Sequence, residues 1–253
     1  MAIRKKLKAS TVPIILVTDD LADKMFKIFE TYYEKTNYEH FIRDLRSKDK
    51  VILLKDTAGD IRGFSTIVEF NLIINGREQH IVYSGDTIIV SDFRGTSALT
   101  MEFLKNILKA KIKNLNKPVW WLLVSKGYKT YLLLANNFIE YFPRYDKETI
   151  VEVKSILKDS TDILFPGCYC EDTGIVGTEN NEHEILKSTV APISEELIKK
   201  YPRIKFFNDI NPNWGQGEEL ACIGRVDLML GIVHPFKILK KVFLKKKSNK
   251  KIK

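Results

Sequence analysis

Residues 83–109 read YSGDTIIVSDFRGTSALTMEFLKNILK, and the order of features in that stretch sets the architecture. Thr87–Val90 is a β-branched run, which favours a strand. Ser91 and Asp92 break it. Arg94 and Gly95 follow, and Thr96 or Ser97 offers a hydroxyl to cap a helix. Beyond the cap, Leu99, Phe103, Leu104, Ile107 and Leu108 recur at helical spacing and make one apolar face. A strand that enters a helix through a loop of small residues presents free N–H groups and the positive end of a dipole. That combination suits a phosphate or pyrophosphate.

Upstream, Val12–Val17 reads as a first strand, and Thr18-Asp19-Asp20 opens a helix whose apolar face is Leu21, Met25, Phe26, Ile28, Phe29 and Tyr32. A second helix is expected over Tyr38–Arg46. Strands follow at Val51–Leu54 and Ile61–Ile74, joined by the turn Ala58-Gly59-Asp60. Asn75-Gly76 is a strong hairpin signal, so Gln79–Val90 returns as the next strand. Downstream, Lys117-Pro118 ends the helical pattern, and Val119–Val124 reads as a buried strand. A helix separates it from its predecessor, which predicts parallel pairing. Trp120 and Trp121 point to opposite faces of that strand, so both are buried only if helices cover both sides. Another helix is expected over Tyr128–Asn136.

Two helices, an antiparallel meander, a helix, a parallel strand and a helix follow one another across about 130 residues. This order resembles the GNAT acyltransferases, an α+β fold with a mixed, mainly antiparallel sheet flanked by helices. The loop is similar to the family's acyl-CoA-binding segment, in which Arg or Gln is followed after two residues by Gly and then by Gly or Ala. Here those positions hold Arg94, Ser97 and Leu99, so only the Arg fits. The resemblance implies that acetyl-CoA or another acyl-CoA is held by Ile89, Val90, Arg94, Gly95, Thr96, Ser97, Ala98 and Leu99, with Asn136 contributing from the later helix. It implies transfer of the acyl group to an amine, either a small molecule or a peptide. In the family a tyrosine near the end of the later helix is often the general acid. Leu133 occupies that position here, which leaves Tyr131 and Tyr128 as candidates. The base is usually a carboxylate on the strand entering the central loop. Asp86, four residues before Val90 and so expected on the same sheet face, and Glu69 on the preceding strand are the candidates. The alternative is a non-catalytic module that binds an acyl-CoA or another ligand.

GNAT domains end in an antiparallel hairpin. Phe138–Pro143 is too short to supply it, and a helix capped by Asp146 and carrying Ile150, Val151, Val153, Ile156 and Leu157 is expected instead. A short helix over Ser194–Tyr201 precedes two expected strands, Arg203–Phe207 and Leu220–Arg225. These would be the hairpin, with residues 144–202 inserted before it. The reading is one domain over residues 1–228 and a basic tail over residues 229–253.

The formal charge of +9 is local. Nine lysines and no acidic residue lie between Lys237 and Lys253, which leaves 32 basic residues against 32 acidic ones elsewhere. The tail is amphipathic, with Phe236, Leu239, Val242 and Phe243 opposite the lysines, and residues 237–253 suit an anionic membrane surface. Nucleic acid fits less well, because too few aromatic residues interleave with the lysines. No stretch reaches the length of a membrane span. The basic N-terminus lacks the apolar run of a secretory signal, and three cysteines fit a reduced compartment. A cytoplasmic protein is expected, with the inner membrane surface as a second location. Cys168 and Cys170, with Cys222 and His183, lack zinc spacing, so no metal is expected.

Overall fold

The computed structural model describes residues 6–177, 185–186 and 192–230. Strand β1 (Lys8–Pro13) precedes the expected Val12–Val17 and stops at a proline, which has no N–H to extend the ladder; one 3₁₀ turn, Ile14–Leu16, follows. Helix α1 (Asp19–Tyr32) is capped by Thr18, whose hydroxyl accepts from the Leu21 N–H at 3.3 Å. A two-residue strand β2 (Tyr33–Glu34) leads to α2 (Tyr38–Arg46), capped by Asn37. The meander β3 (Lys50–Lys55), β4 (Ile61–Ile74) and β5 (Arg77–Ile89) turns at Asn75 and Gly76. Both have positive φ, 50° and 74°, as a twisted two-residue hairpin requires.

Helix α3 (Ala98–Lys113) carries the chain over to β6 (Val119–Ser125), which pairs parallel with β5, and α4 (Tyr128–Ala135) follows. Trp120 and Trp121 are 4% and 6% exposed, because helices cover both faces. One face packs against α3 and α4 through Leu104, Ile107, Tyr131 and Leu134. On the opposite face α1 and α2 bury Met25, Phe29, Phe41 and Leu45 against Val51, Leu53, Phe64 and Ile88.

The remainder comprises β7 (Tyr141–Phe142), α5 (Val151–Leu164), β8 (Tyr169–Cys170), β9 (Ile175–Val176), β10 (Ile185–Leu186), α6 (Glu195–Lys200), α7 (Pro202–Ile210) and β11 (Glu219–Arg225). Helix α5 shares the face of α1 and α2, whereas Phe207 of α7 joins the α3 face. The main sheet runs β1-β3-β4-β5-β6-β11-β9-β8, with β7 also on β11. It is an α+β fold, mainly antiparallel, with β5–β6 as its parallel pair.

Three expectations are corrected here. Arg203–Phe207 is helical, not extended: Pro202 occupies the first turn, where its missing N–H costs nothing, and Ile204 and Phe207 bury one helical face. The closing hairpin therefore consists of β7 and β11, paired at Phe142↔Ile223 and Tyr141↔Gly224. The short segment Phe138–Pro143 supplies one arm after all, and the added residues lie between the arms rather than before them. Gly224 is required at that crossing, since a Cβ would sit 2.6 Å from Leu134. Asp146 does not cap α5. It chelates Arg144 at 2.6 and 2.7 Å, while Ile150 occupies the cap position without a side-chain bond.

The inserted segment reaches back across the molecule, since β10 pairs with β2 at Ile185↔Glu34. The core also extends past residue 228, because Leu230 is 5% exposed and packs on the α3 face. His183, His234 and the lysine-rich residues 237–253 lie outside the described residues.

Candidate active site

Strands β5 and β6 are hydrogen-bonded partners only from His80↔Val119 to Tyr83↔Leu122. Beyond that pair they part, and a V opens between residues 84–89 and 123–125. A β-bulge in β5 drives the divergence: the β4–β5 register shifts between Phe64 and Thr66, and Asp86 takes φ +40°. Ser65 Oγ sits 2.7 Å from Thr87 Oγ1 and also reaches the Gly85 carbonyl at 3.3 Å, which ties the bulge to β4. The bulge resets the alternation of side chains. At the bulge the Asp86 carboxylate accepts from Thr66 Oγ1 at 3.2 Å.

At the mouth of the V, residues Ser91–Phe93 form one 3₁₀ turn and Gly95 takes φ +80°. Ser97 holds the cap position of α3 but makes no side-chain capping bond. The first intrahelical bond runs from the Met101 N–H to the Ser97 carbonyl, so the N–H groups of Ser97, Ala98, Leu99 and Thr100 have no intrahelical partner. Thr96 Oγ1 beside them is buried without a hydrogen bond. Unpaired backbone donors and the positive end of the helix dipole thus meet at the start of α3. Arg94 is not aimed there. It folds back, donating from Nε to the Ile89 carbonyl at 3.1 Å and laying its guanidinium 5.0 Å from the Tyr32 ring centroid. The Val90 N–H is also committed, to the Arg62 carbonyl at 2.9 Å.

Behind the loop is a cavity of about 70 Å³ between α3, the sheet and the end of α4. Its walls include Ser84, Leu99, Phe103, Trp121, Leu133 and Asn137. Trp121 Nε1 donates to Ser84 Oγ at 2.8 Å, and its ring stands between Phe103 and Phe138. Leu99 turns its bulk into this cavity and fills space there. Sequence reasoning overlooked Ser84, Phe103, Trp121 and Asn137 as site residues. The helical spacing of Leu99 and Phe103 was the available signal.

Helix α4 offers less chemistry than expected. Leu133 does face the cavity. Tyr131 does not: it is fully buried among Tyr141, Phe206 and Phe207, its hydroxyl donates to the Pro143 carbonyl at 3.1 Å, and burial pushes its pKa up. Tyr128 packs half-buried on the same core with Lys129 Nζ 5.9 Å from its ring. Asn136 turns to α7, where its Oδ1 accepts from Arg203 at 2.6 Å, and its neighbour Asn137 lines the cavity instead.

Glu69 is tied up at the paired end of the strands. Its carboxylate meets His80 Nε2 at 3.5 Å and Lys50 Nζ at 2.5 Å, and these partners hold its pKa down to about 2. A carboxylate so stabilised is a poor base. Of the two expected bases, the structure places Asp86, not Glu69, at the V. Cys222 is buried in β11 and burial raises its thiol pKa, while Cys170 is exposed. Among the described residues, no three His, Cys, Asp or Glu side chains gather as metal ligands, and no helix is long and apolar enough to cross a membrane.

No protein-family model and no curated protein sequence matches this chain. Solved structures do match. A conserved protein from Enterococcus faecalis V583, described as a probable N-acyltransferase, shares 14% identity at a TM-score of 0.40; the match covers 62% of this chain and 43% of that one. Escherichia coli ElaA shares 13% identity at a TM-score of 0.40, over 56% of this chain and 94% of its own. YhbS from Escherichia coli, a GNAT family N-acetyltransferase solved with CoA, shares 13% identity at a TM-score of 0.36, over 54% of this chain and 72% of its own.

Proposed function

We propose that this chain is an acyl-CoA-dependent N-acyltransferase that passes an acyl group, acetyl in the simplest case, to a small-molecule or peptide amine. The observation that carries the reading is the V between β5 and β6, with the uncapped N-terminus of α3 at its mouth. A pyrophosphate fits the N–H donors of residues 97–100, which have no intrahelical partner. The arm that follows is linear and carries amides, so it suits two strand edges that have lost each other as partners. The ladder's alternation aims the Ser84 N–H away from β4 and into that opening, because the His80 N–H four residues earlier points to the β6 side.

The reaction needs little from side chains. An amine attacks the thioester carbon directly. Holding the two reactants in line supplies most of the rate, and strand N–H donors take up charge on the carbonyl oxygen. Asp86 accepts the proton that the nitrogen sheds.

Ser97→Asp tests the reading. A carboxylate caps α3 and so preserves or raises stability. It also puts negative charge where the pyrophosphate lies, and calorimetry should show acetyl-CoA affinity falling about tenfold or more, ~1.4 kcal/mol. Arg94→Ala should change it less than about threefold, since that side chain is turned away. Unchanged affinity in Ser97→Asp would remove the phosphate from this loop.

A second reading, a non-catalytic acyl-CoA-binding module, is favoured by Leu133 in the place of the family's acid. It predicts acetyl-CoA binding without thiol release. The lysines of residues 237–253 add an anionic membrane surface as a partner for a cytoplasmic protein. Deleting them should abolish sedimentation with anionic vesicles at low salt, and equal sedimentation of the truncated chain would end that reading.

A further inference from the structure

The acyltransfer reading needs a proton donor for the departing thiolate, and neither Leu133, which carries no hydroxyl, nor Tyr131, which spends its own in the core, supplies it. We propose that Tyr83 fills this role as a catalytic residue: its hydroxyl hydrogen-bonds the thioester sulfur at the closed end of the V and protonates it as the C–S bond breaks. This rests on the acyltransferase reading.

The placement follows from the strand. Tyr83 is the last β5 residue paired with β6, so whatever fills the V ends beside it. Its side chain lies on the face of α1, α2 and α5, and the next residue on that face is Gly85. A Cβ on Gly85 would stand 2.8 Å from the Tyr83 hydroxyl and 3.1 Å from Thr66 Oγ1. The hydroxyl therefore lies across Gly85, the first residue on that face where β5 has lost β6. The residue is 4% exposed, yet among the described residues no group hydrogen-bonds its hydroxyl. A ligand atom at Gly85 can therefore take this hydroxyl as a donor without displacing a partner among the described residues. The ring is fixed by the edge of Phe165, with centroids 5.8 Å apart, and by Lys48 Nζ 5.8 Å from its centroid. Lys48 is itself held by Asp44 at 2.7 Å.

The groups facing the hydroxyl suit a donor. Burial first, then the carboxylates of Asp86, Glu219 and Asp44 and the Tyr33 phenol, push its pKa well up, so the hydroxyl stays protonated as a standing hydrogen-bond donor to the departing sulfur. Its proton moves to sulfur only as the proton shed by nitrogen is passed to its oxygen. Asp86, held by Thr66, lies on the other side of Gly85. In the full step the amine lone pair forms the C–N bond and the C–S electron pair leaves on sulfur. Tyr83 gives its proton to that sulfur. The proton shed by nitrogen goes to Asp86 and from there restores the tyrosine. One proton moves from nitrogen to sulfur, and nothing else is consumed.

The test compares wild type with Tyr83→Phe, checking folding by thermal melt. Calorimetry gives acetyl-CoA affinity, and thiol release is followed with water and then with ethylamine as probe acceptors. The thiolate fraction of bound CoA is read against pH from its ultraviolet absorbance. Tyr83→Phe should bind acetyl-CoA within about threefold of wild type, release thiol at least about tenfold more slowly, and hold the CoA thiol protonated to higher pH. Gly85→Ala, which displaces the hydroxyl but keeps it, should slow release in the same way. Equal release rates overturn the role of Tyr83 and leave the acyltransferase reading standing. If wild type binds acetyl-CoA but releases no thiol, an unchanged CoA titration in Tyr83→Phe overturns the role. Wild type that binds no acetyl-CoA overturns the acyltransferase reading and this role together.

Discussion

Tyr131 on α4 and Tyr83 on β5 approach the sheet from opposite faces, and both are buried. Tyr131 hydrogen-bonds the Pro143 carbonyl and packs three aromatic rings; its hydroxyl is part of the scaffold. Tyr83 has a fixed ring and, among the described residues, no hydrogen bond to its hydroxyl, which lies at the strand bulge. The carboxylates divide the same way. Glu69 is locked between Lys50 and His80, whereas Asp86 sits on the bulge at the opening of the V. Stability and chemistry have been assigned to different members of each pair. Hydrogen-bond completeness distinguishes them, and nearness to a family position does not.

Three measurements press on that contrast. The largest effect belongs to Tyr131→Ala, which empties the aromatic cluster between α4 and α7 and should cost about 3–5 kcal/mol in denaturant unfolding. A loss below about 1 kcal/mol would mean that this core is not packed as described. Next is the acid limb of stability. The Glu69 pKa falls from 4.5 to about 2 on folding, so its contribution is fully present above pH 4.5 and is lost as pH drops towards 2. That loss should be roughly 2–3 kcal/mol. Glu69→Gln should flatten it and leave thiol release unchanged. A steep acid limb in Glu69→Gln would assign it elsewhere. The smallest effect sharpens the comparison most. Tyr131→Phe strands a carbonyl and should cost about 1 kcal/mol, while Tyr83→Phe breaks no hydrogen bond and should stay within about 0.5 kcal/mol. Equal losses would erase the distinction between the two hydroxyls.

Much of the frame was legible because local signals and packing agreed. Tyr38–Arg46 and Ile61–Ile74 begin and end where the pattern places them, and Asn75-Gly76 turns as its backbone preference dictates. The failures occur where one residue serves a tertiary demand. The run after Pro202 alternates like a strand, but a proline in the first helical turn and the pair Ile204 and Phe207 mark a helix. Asp146 looks like a cap until Arg144 competes for it. The bulge at Asp86 breaks the two-residue periodicity on which the face assignment rested, and only the preceding Gly85 hinted at it. The loop and the parallel strand located the V, but which tyrosine opens onto it depends on contacts between residues far apart in sequence.

The closing hairpin has a consequence for how the chain acquires its structure. Phe142 and Ile223 are neighbours in the sheet yet 81 residues apart in sequence. Strand β11 is also the partner that fills the free edge of β6. Closing so long a loop costs roughly 2–3 kcal/mol more than closing a tight turn, and distant pairings slow folding. During synthesis β1, β3, β4, β5 and β6 can assemble early. The outer edge of β6, with Trp120 and Trp121, then stays open until residue 225 has emerged. In that interval an apolar strand edge is exposed to pairing with other chains, which makes β6 the point at which nascent copies would aggregate.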